Sequence, residues 1–134
     1  MKKLFSIKYS DNGISFAALI LRLAGGCLML PHGFSKLSTF AAHSGNFYDP
    51  FHIGSAASLC LVIFAEVFCA AFVILGLFTR FACIPLLIDM TTAIGLAHHW
   101  QIFESEKEVL FIAVFLSLLF IGPGKMSIDR FIGK

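Results

Sequence analysis

Residues 55–78 read SAASLCLVIFAEVFCAAFVILGLF, with a single charged side chain, Glu66. As a helix rising about 1.5 Å per residue, such a run is long enough to cross the roughly 30 Å of hydrocarbon in a bilayer. Three further stretches share its character: 14–33 (ISFAALILRLAGGCLMLPHG), 81–100 (FACIPLLIDMTTAIGLAHHW) and 107–122 (KEVLFIAVFLSLLFIG). The last is short, and it spans if Lys107 and Glu108 reach the headgroups at one end. None alternates with the period of two that a barrel strand needs, so helices are the spanning elements.

Composition agrees. Of 134 residues 58% are hydrophobic, 16 are Phe and 13% are charged, where soluble domains carry about 25% charge. The mean hydropathy is +0.89. A soluble enzyme, a disordered segment and a nucleic-acid binder are excluded, because too few polar residues exist to clothe one core in water. A net charge of +2 is too small to point to a polyanionic partner.

The connections fix a topology. A short turn at Gly76 and Thr79-Arg80 makes the second and third spans antiparallel neighbours, with Thr79 as a helix N-cap. Gly122-Pro123-Gly124 ends the fourth span, and Ser127 caps a short interfacial tail over 128–132. Residues 34–54, with Gly45, Asn46, Asp49, Pro50 and Gly54, form the longest connection. Lys2, Lys3, Lys8, Arg80, Lys125, Arg130 and Lys134 fall on one side and Lys36 and Lys107 on the other. That asymmetry puts both termini in the cytoplasm. Phe47, Tyr48, Phe51, Trp100 and Phe103 then line the outer interface. Arg22 interrupts the first apolar run and no cleavage site follows, so the first span reads as a helix that is kept. The expected architecture is an all-α, four-transmembrane-helix antiparallel bundle over 1–134, N-in and C-in, with its long loop outside between helices 1 and 2.

Charges within lipid are costly and mark partners or cavities. Arg22 and Asp89 lie about 12 Å, and Glu66 about 18 Å, from the cytoplasmic ends of their spans. These depths allow one intramembrane polar cluster, either a staple that holds register or a proton relay. A second group, the outer polar pocket, comprises His32, Lys36, His98, His99 and Glu108. Lys36 and His32 are rotated about 40° and 80° from the Arg22 direction, which draws one polar stripe along the first helix. His99 lies within about 80° of Asp89, whereas His98 points the opposite way. A His pair on two helices also suits b-type haem or a metal, but the bare pair is all the spacing offers, and neither is assigned. Cys27, Cys60, Cys69 and Cys83 form no Cys-x-x-Cys and read as apolar fillers. Gly25-Gly26 with Ala17, Ala18, Ala70 and Ala71 permits close helix packing, within the bundle or against a second subunit. Asp11, Asp49, Glu104, Glu106 and Asp129 fall in flanks and loops and read as solvated.

Leu21-Arg22-Leu23, Pro31-His32-Gly33 with Lys36, Phe64-Ala65-Glu66, Leu75-Gly76-Leu77-Phe78-Thr79-Arg80, His98-His99, Lys107-Glu108 and Gly122 through Asp129 occur in that order. Together they resemble the DoxX family of small four-helix membrane proteins, with Asp49-Pro50 similar to members from Bacteroidetes-type bacteria. The resemblance implies a bacterial inner-membrane location. It carries Arg22 and Glu66 as site residues and favours His98, the histidine that helical periodicity turns away. Asp89 departs from it, since a neutral residue is implied there. The family takes its name from a subunit of a quinol-oxidising complex, which implies a redox-associated subunit with a quinone as ligand and a redox protein as partner, rather than a stand-alone enzyme. A proton-coupled transporter or channel, and a structural or assembly subunit without ligand, are the alternatives.

Overall fold

A computed structural model describes residues 4–43, 45, 52–97 and 105–133. They contain helices and no strand. Helix α1 (Asp11–Ser38) starts at Ser10, whose hydroxyl accepts from the Gly13 N–H at 3.0 Å with Asp11 in the first turn, both favourable at the positive end of a helix. A short α2 (Phe40–His43) follows. Helix α3 (Ser55–Leu75) is continuous, but its middle turn, Phe64–Cys69, is π-helical. Then come α4 (Thr79–Ala97), α5 (Glu106–Ile121) and α6 (Ile128–Ile132). By length and apolar composition α1 and α3 are each able to cross a membrane. The aromatic residues 47, 48, 51, 100 and 103 expected at the outer interface lie outside the described residues.

Large side chains on the outside of the helices are apolar. Phe16, Leu28, Phe34, Leu61, Phe68, Phe81 and Phe120 are all exposed. A stable water-facing surface has no use for such a shell, whereas lipid does. Inside, small residues let the helices close: Ala18, Ala65, Ala70 and Ala82 are buried with Met29, Val73, Leu86, Phe115 and Leu118. Gly26 lies so close to α3 that a Cβ there would stand 2.9 Å from the Ala70 carbonyl. That approach is the small-residue packing expected where helices meet in lipid. Cys69 and Cys83 are buried and Cys27 and Cys60 exposed, all as free thiols.

The α3–α4 turn is built by backbone chemistry. Gly76 takes φ +71°, with Leu77 N–H donating to Phe72 O at 2.9 Å and Gly76 N–H to Val73 O at 3.2 Å. This is a Schellman end, which needs the left-handed residue. The cap of α4 is not the expected one. Thr79 is the first residue of the helix, and its hydroxyl is buried without a partner among the described residues. The capping acceptor is Asp129, whose carboxylate accepts from Phe78 N–H at 2.6 Å and Thr79 N–H at 2.9 Å. Asp129 is therefore a structural carboxylate, not the solvated one its loop position suggests. Ser127 does precede α6, but its hydroxyl donates to Gly124 O at 2.8 Å instead of capping the helix. Asp129→Ala should lower stability by about 1–2 kcal/mol, the usual cost of a lost N-cap. Thermal unfolding in detergent checks this, and an unchanged midpoint contradicts it.

Candidate functional site

Arg22 is 2% exposed, and four of its five N–H donors are engaged by backbone. Nε donates to Val73 O at 3.0 Å, Nη2 to Ile74 O at 2.9 Å, and Nη1 to Pro123 O at 3.0 Å and Met126 O at 2.7 Å. Val73 and Ile74 belong to the last turn of α3, where the next-turn amides are missing; Val73 O keeps only the Gly76 N–H of the Schellman end. A rigid planar guanidinium is suited to gather several such acceptors at once. Asp129 adds a favourable charge nearby. The three sequence blocks around Arg22, Gly76 and Gly122–Asp129 thus meet at one junction, and its chemistry is that of a clasp.

Glu66 is elsewhere. Gly33 of α1 packs against Glu66 and Val67, and Arg22 is eleven residues from Gly33, about 16 Å along the helix. The structure therefore divides the expected cluster of Arg22, Glu66 and Asp89. Glu66 takes its cation from Lys36, which the stripe on α1 had grouped with the outer histidines. Lys36 Nζ donates to both Glu66 oxygens, at 2.9 Å and 2.7 Å, and the side chains are 32% and 3% exposed. The π turn makes room for this: Ala65, Glu66 and Cys69 are all buried within it. Such widened turns recur at functional positions. Asp89 approaches from α4, with its carboxyl within side-chain hydrogen-bond reach of Glu66 and in the field of Lys36. Its Oδ2 is buried with no hydrogen-bond partner among the described residues. Three helices therefore bring one ammonium and two carboxyls together, with Glu66 buried and Lys36 and Asp89 partly exposed.

A second feature lies between α1 and α5. A cleft of about 440 Å³ is lined by Ala24, Gly25, Leu28, Leu110, Phe111 and Val114, with His32 and Lys107 also in its wall. The His32 ring meets Phe111 edge-on, with centroids 6.2 Å apart. Of the expected outer pocket, the structure thus joins His32 to Lys107 and sends Lys36 to Glu66. Glu108 is partly buried in the first turn of α5. His98 and His99 lie outside the described residues. Among the described residues no group of three His, Cys, Asp or Glu side chains is placed to hold a metal ion.

Lys107 escaped the sequence-based pocket because a basic residue at a span end reads first as a headgroup anchor. Asp129 escaped because the partners of a cap fifty residues away leave no local pattern. No simple rule would have paired Lys36 with Glu66, although a lone buried carboxylate demands some cation and only Lys36 and Arg22 lie along α1.

Comparison with known proteins places these features in context. The family model described as DoxX matches residues 17–100, a stretch that holds Arg22, Lys36, Glu66 and Asp89 and ends before Lys107. The uncharacterized membrane protein Rv3486 of Mycobacterium tuberculosis is 35% identical over 86 residues, covering 52% of this chain and 52% of its own. Inner membrane protein YphA of Escherichia coli is 28% identical over 140 residues, covering 93% of this chain and 98% of its own. The chain thus spans about half the length of the first relative and nearly all of the second. No solved structure matches.

Proposed function

The chain belongs to the DoxX family, and on that footing we propose that it acts in the bacterial inner membrane as a quinone-binding, redox-associated subunit. In this reading α1, α3, α4 and α5 cross the bilayer as one antiparallel bundle, with both termini cytoplasmic and the 34–54 connection outside. The Lys and Arg asymmetry and the apolar outer shell support that arrangement. The observation that carries the ligand assignment is the α1–α5 cleft. Its wall is apolar except for His32 and Lys107. A volume of about 440 Å³ falls within the usual range of small-molecule sites, which pair apolar walls with a few placed polar groups. A quinone suits both parts: His32 and Lys107 donate to a carbonyl, Phe111 flanks the ring, and the isoprenoid tail follows the cleft among the helices. In this reading the electrons come from a partner protein.

Gentle purification followed by mass spectrometry of the extracted lipids tests this. Quinone should co-purify, and a combined His32→Ala and Lys107→Ala variant should retain about tenfold less, the loss expected when one strong polar contact goes. A wild-type preparation that holds no quinone, and binds no added decylubiquinone, contradicts the assignment.

A further inference from the structure

Lys36, Glu66 and Asp89 are separate from the α1–α5 cleft and ask a different question. Lys36 Nζ already occupies both Glu66 oxygens, at 2.9 Å and 2.7 Å. Asp89 nevertheless comes within hydrogen-bond reach of Glu66. Two ionised carboxylates this close repel each other, and a proton on one of them turns the approach into a hydrogen bond. The charge count leads to the same place. One ammonium and two carboxylates leave a net negative charge around the buried Glu66, where an uncompensated ion is disfavoured. One added proton makes the group neutral. Like charges sharing one site are the standard circumstance for holding a single proton between two acids.

The described residues offer no alternative neutraliser. The charged groups acting on Asp89 are Glu66 of α3 and Lys36 of α1. Toward α5 the core is apolar, with Phe115 and Leu118 buried and Phe111 and Ile112 packed beside them. On α4 itself, the Thr91 and Thr92 hydroxyls are spent on the Leu87 and Ile88 carbonyls at 2.8 Å. Arg22 is committed to four backbone carbonyls. Asp89 Oδ2 meanwhile keeps a buried, unclaimed lone-pair oxygen. Lys36 and Asp89 are both partly exposed, Lys36 at 32% against 3% for Glu66, which gives the cluster an open side.

We infer that Glu66 and Asp89 form a proton-binding site, a carboxyl dyad that shares one exchangeable proton with Lys36 as its fixed counter-ion. On release the O–H bond of the acid breaks, the proton passes to water on the Lys36 side, and the cluster becomes an anion. No electrons move. The site therefore stands whether or not the cleft takes a quinone, and the two fail separately.

Infrared difference spectroscopy of the full chain in lipid nanodiscs reads this proton directly. Wild type should show a protonated-carboxyl C=O band that shifts in heavy water and disappears as the pH is raised. Labelling with ¹³C-aspartate or ¹³C-glutamate should move it. Asp89→Asn should remove it, because Lys36 and Glu66 are then neutral as a pair. Lys36→Met should increase its area about twofold, since both acids then need a proton. Absence of any such band in wild type overturns the proposal, and so does a band that survives unchanged in Asp89→Asn. Should that variant not accumulate, the isotope test on wild type decides: a band that neither label moves overturns the dyad.

Discussion

Arg22→Gln should cost about 3–5 kcal/mol and leave little folded protein in the membrane. The native fork makes four hydrogen bonds to backbone carbonyls. A glutamine amide has only two N–H donors on a shorter stem, so at least two of these carbonyls lose their Arg22 bond. Each orphan costs about 1–3 kcal/mol, and the whole fold of a protein this size is held by roughly 5–15 kcal/mol. Arg22→Lys should lie between, because one ammonium replaces the charge without the planar spread. Thermal unfolding in detergent, read by size-exclusion elution, orders the three proteins. If Arg22 were instead the partner of Glu66, exchanging the two charges would restore the fold. With about 16 Å between their levels, the exchange should fail, and its success would remove the clasp.

Lys36→Met should be the other severe change, at about 3–5 kcal/mol, the range for stripping one partner from a buried ion pair. It leaves Glu66 and Asp89 facing each other without a cation. Glu66→Gln should be much milder, because Asp89 remains as a counter-charge within the field of Lys36. Lys36→Met combined with Glu66→Gln should recover most of the loss, since a single carboxyl can then sit protonated in the apolar interior. This asymmetry separates a three-membered cluster from a simple pair, for which the two single changes would cost the same. Unfolding midpoints of the three variants measure it, and equal losses for the singles contradict Asp89's part.

The helices were legible because lipid imposes one rule over long stretches. Apolar runs bounded by Gly76, Gly122 and charged flanks mark their own ends, and α5 at Glu106–Ile121 falls within a residue of the 107–122 expected. α1 runs longer than 14–33, because Ser10 and Asp11 cap it before the apolar run begins and Lys36 continues it toward Ser38. The polar site was less legible. Depth arithmetic sets Arg22, Glu66 and Asp89 at comparable levels, yet an arginine reaches several ångströms along its own stem and satisfies carbonyls as readily as carboxylates. Sequence lists side-chain charges and is silent about backbone acceptors, which are what Arg22 found. Nor does any local pattern announce the π turn at Phe64–Cys69. Asp89, which the family resemblance leaves unexplained, becomes intelligible only beside Glu66.

The clasp also has a consequence in time. Arg22 is made about a hundred residues before Pro123 and Met126, its separation from them being 101 and 104 positions. A chain still on the ribosome holds Arg22 with the α3 carbonyls at most, and half its acceptors do not yet exist. The Asp129 cap on α4 is likewise supplied by a residue made fifty positions after the helix it caps. Chains of this kind are synthesised and fold from the N-terminus onward, so the bundle cannot lock before residues 123–129 have been made. A chain cut short before residue 123 is left with an open buried arginine that marks it as unfinished.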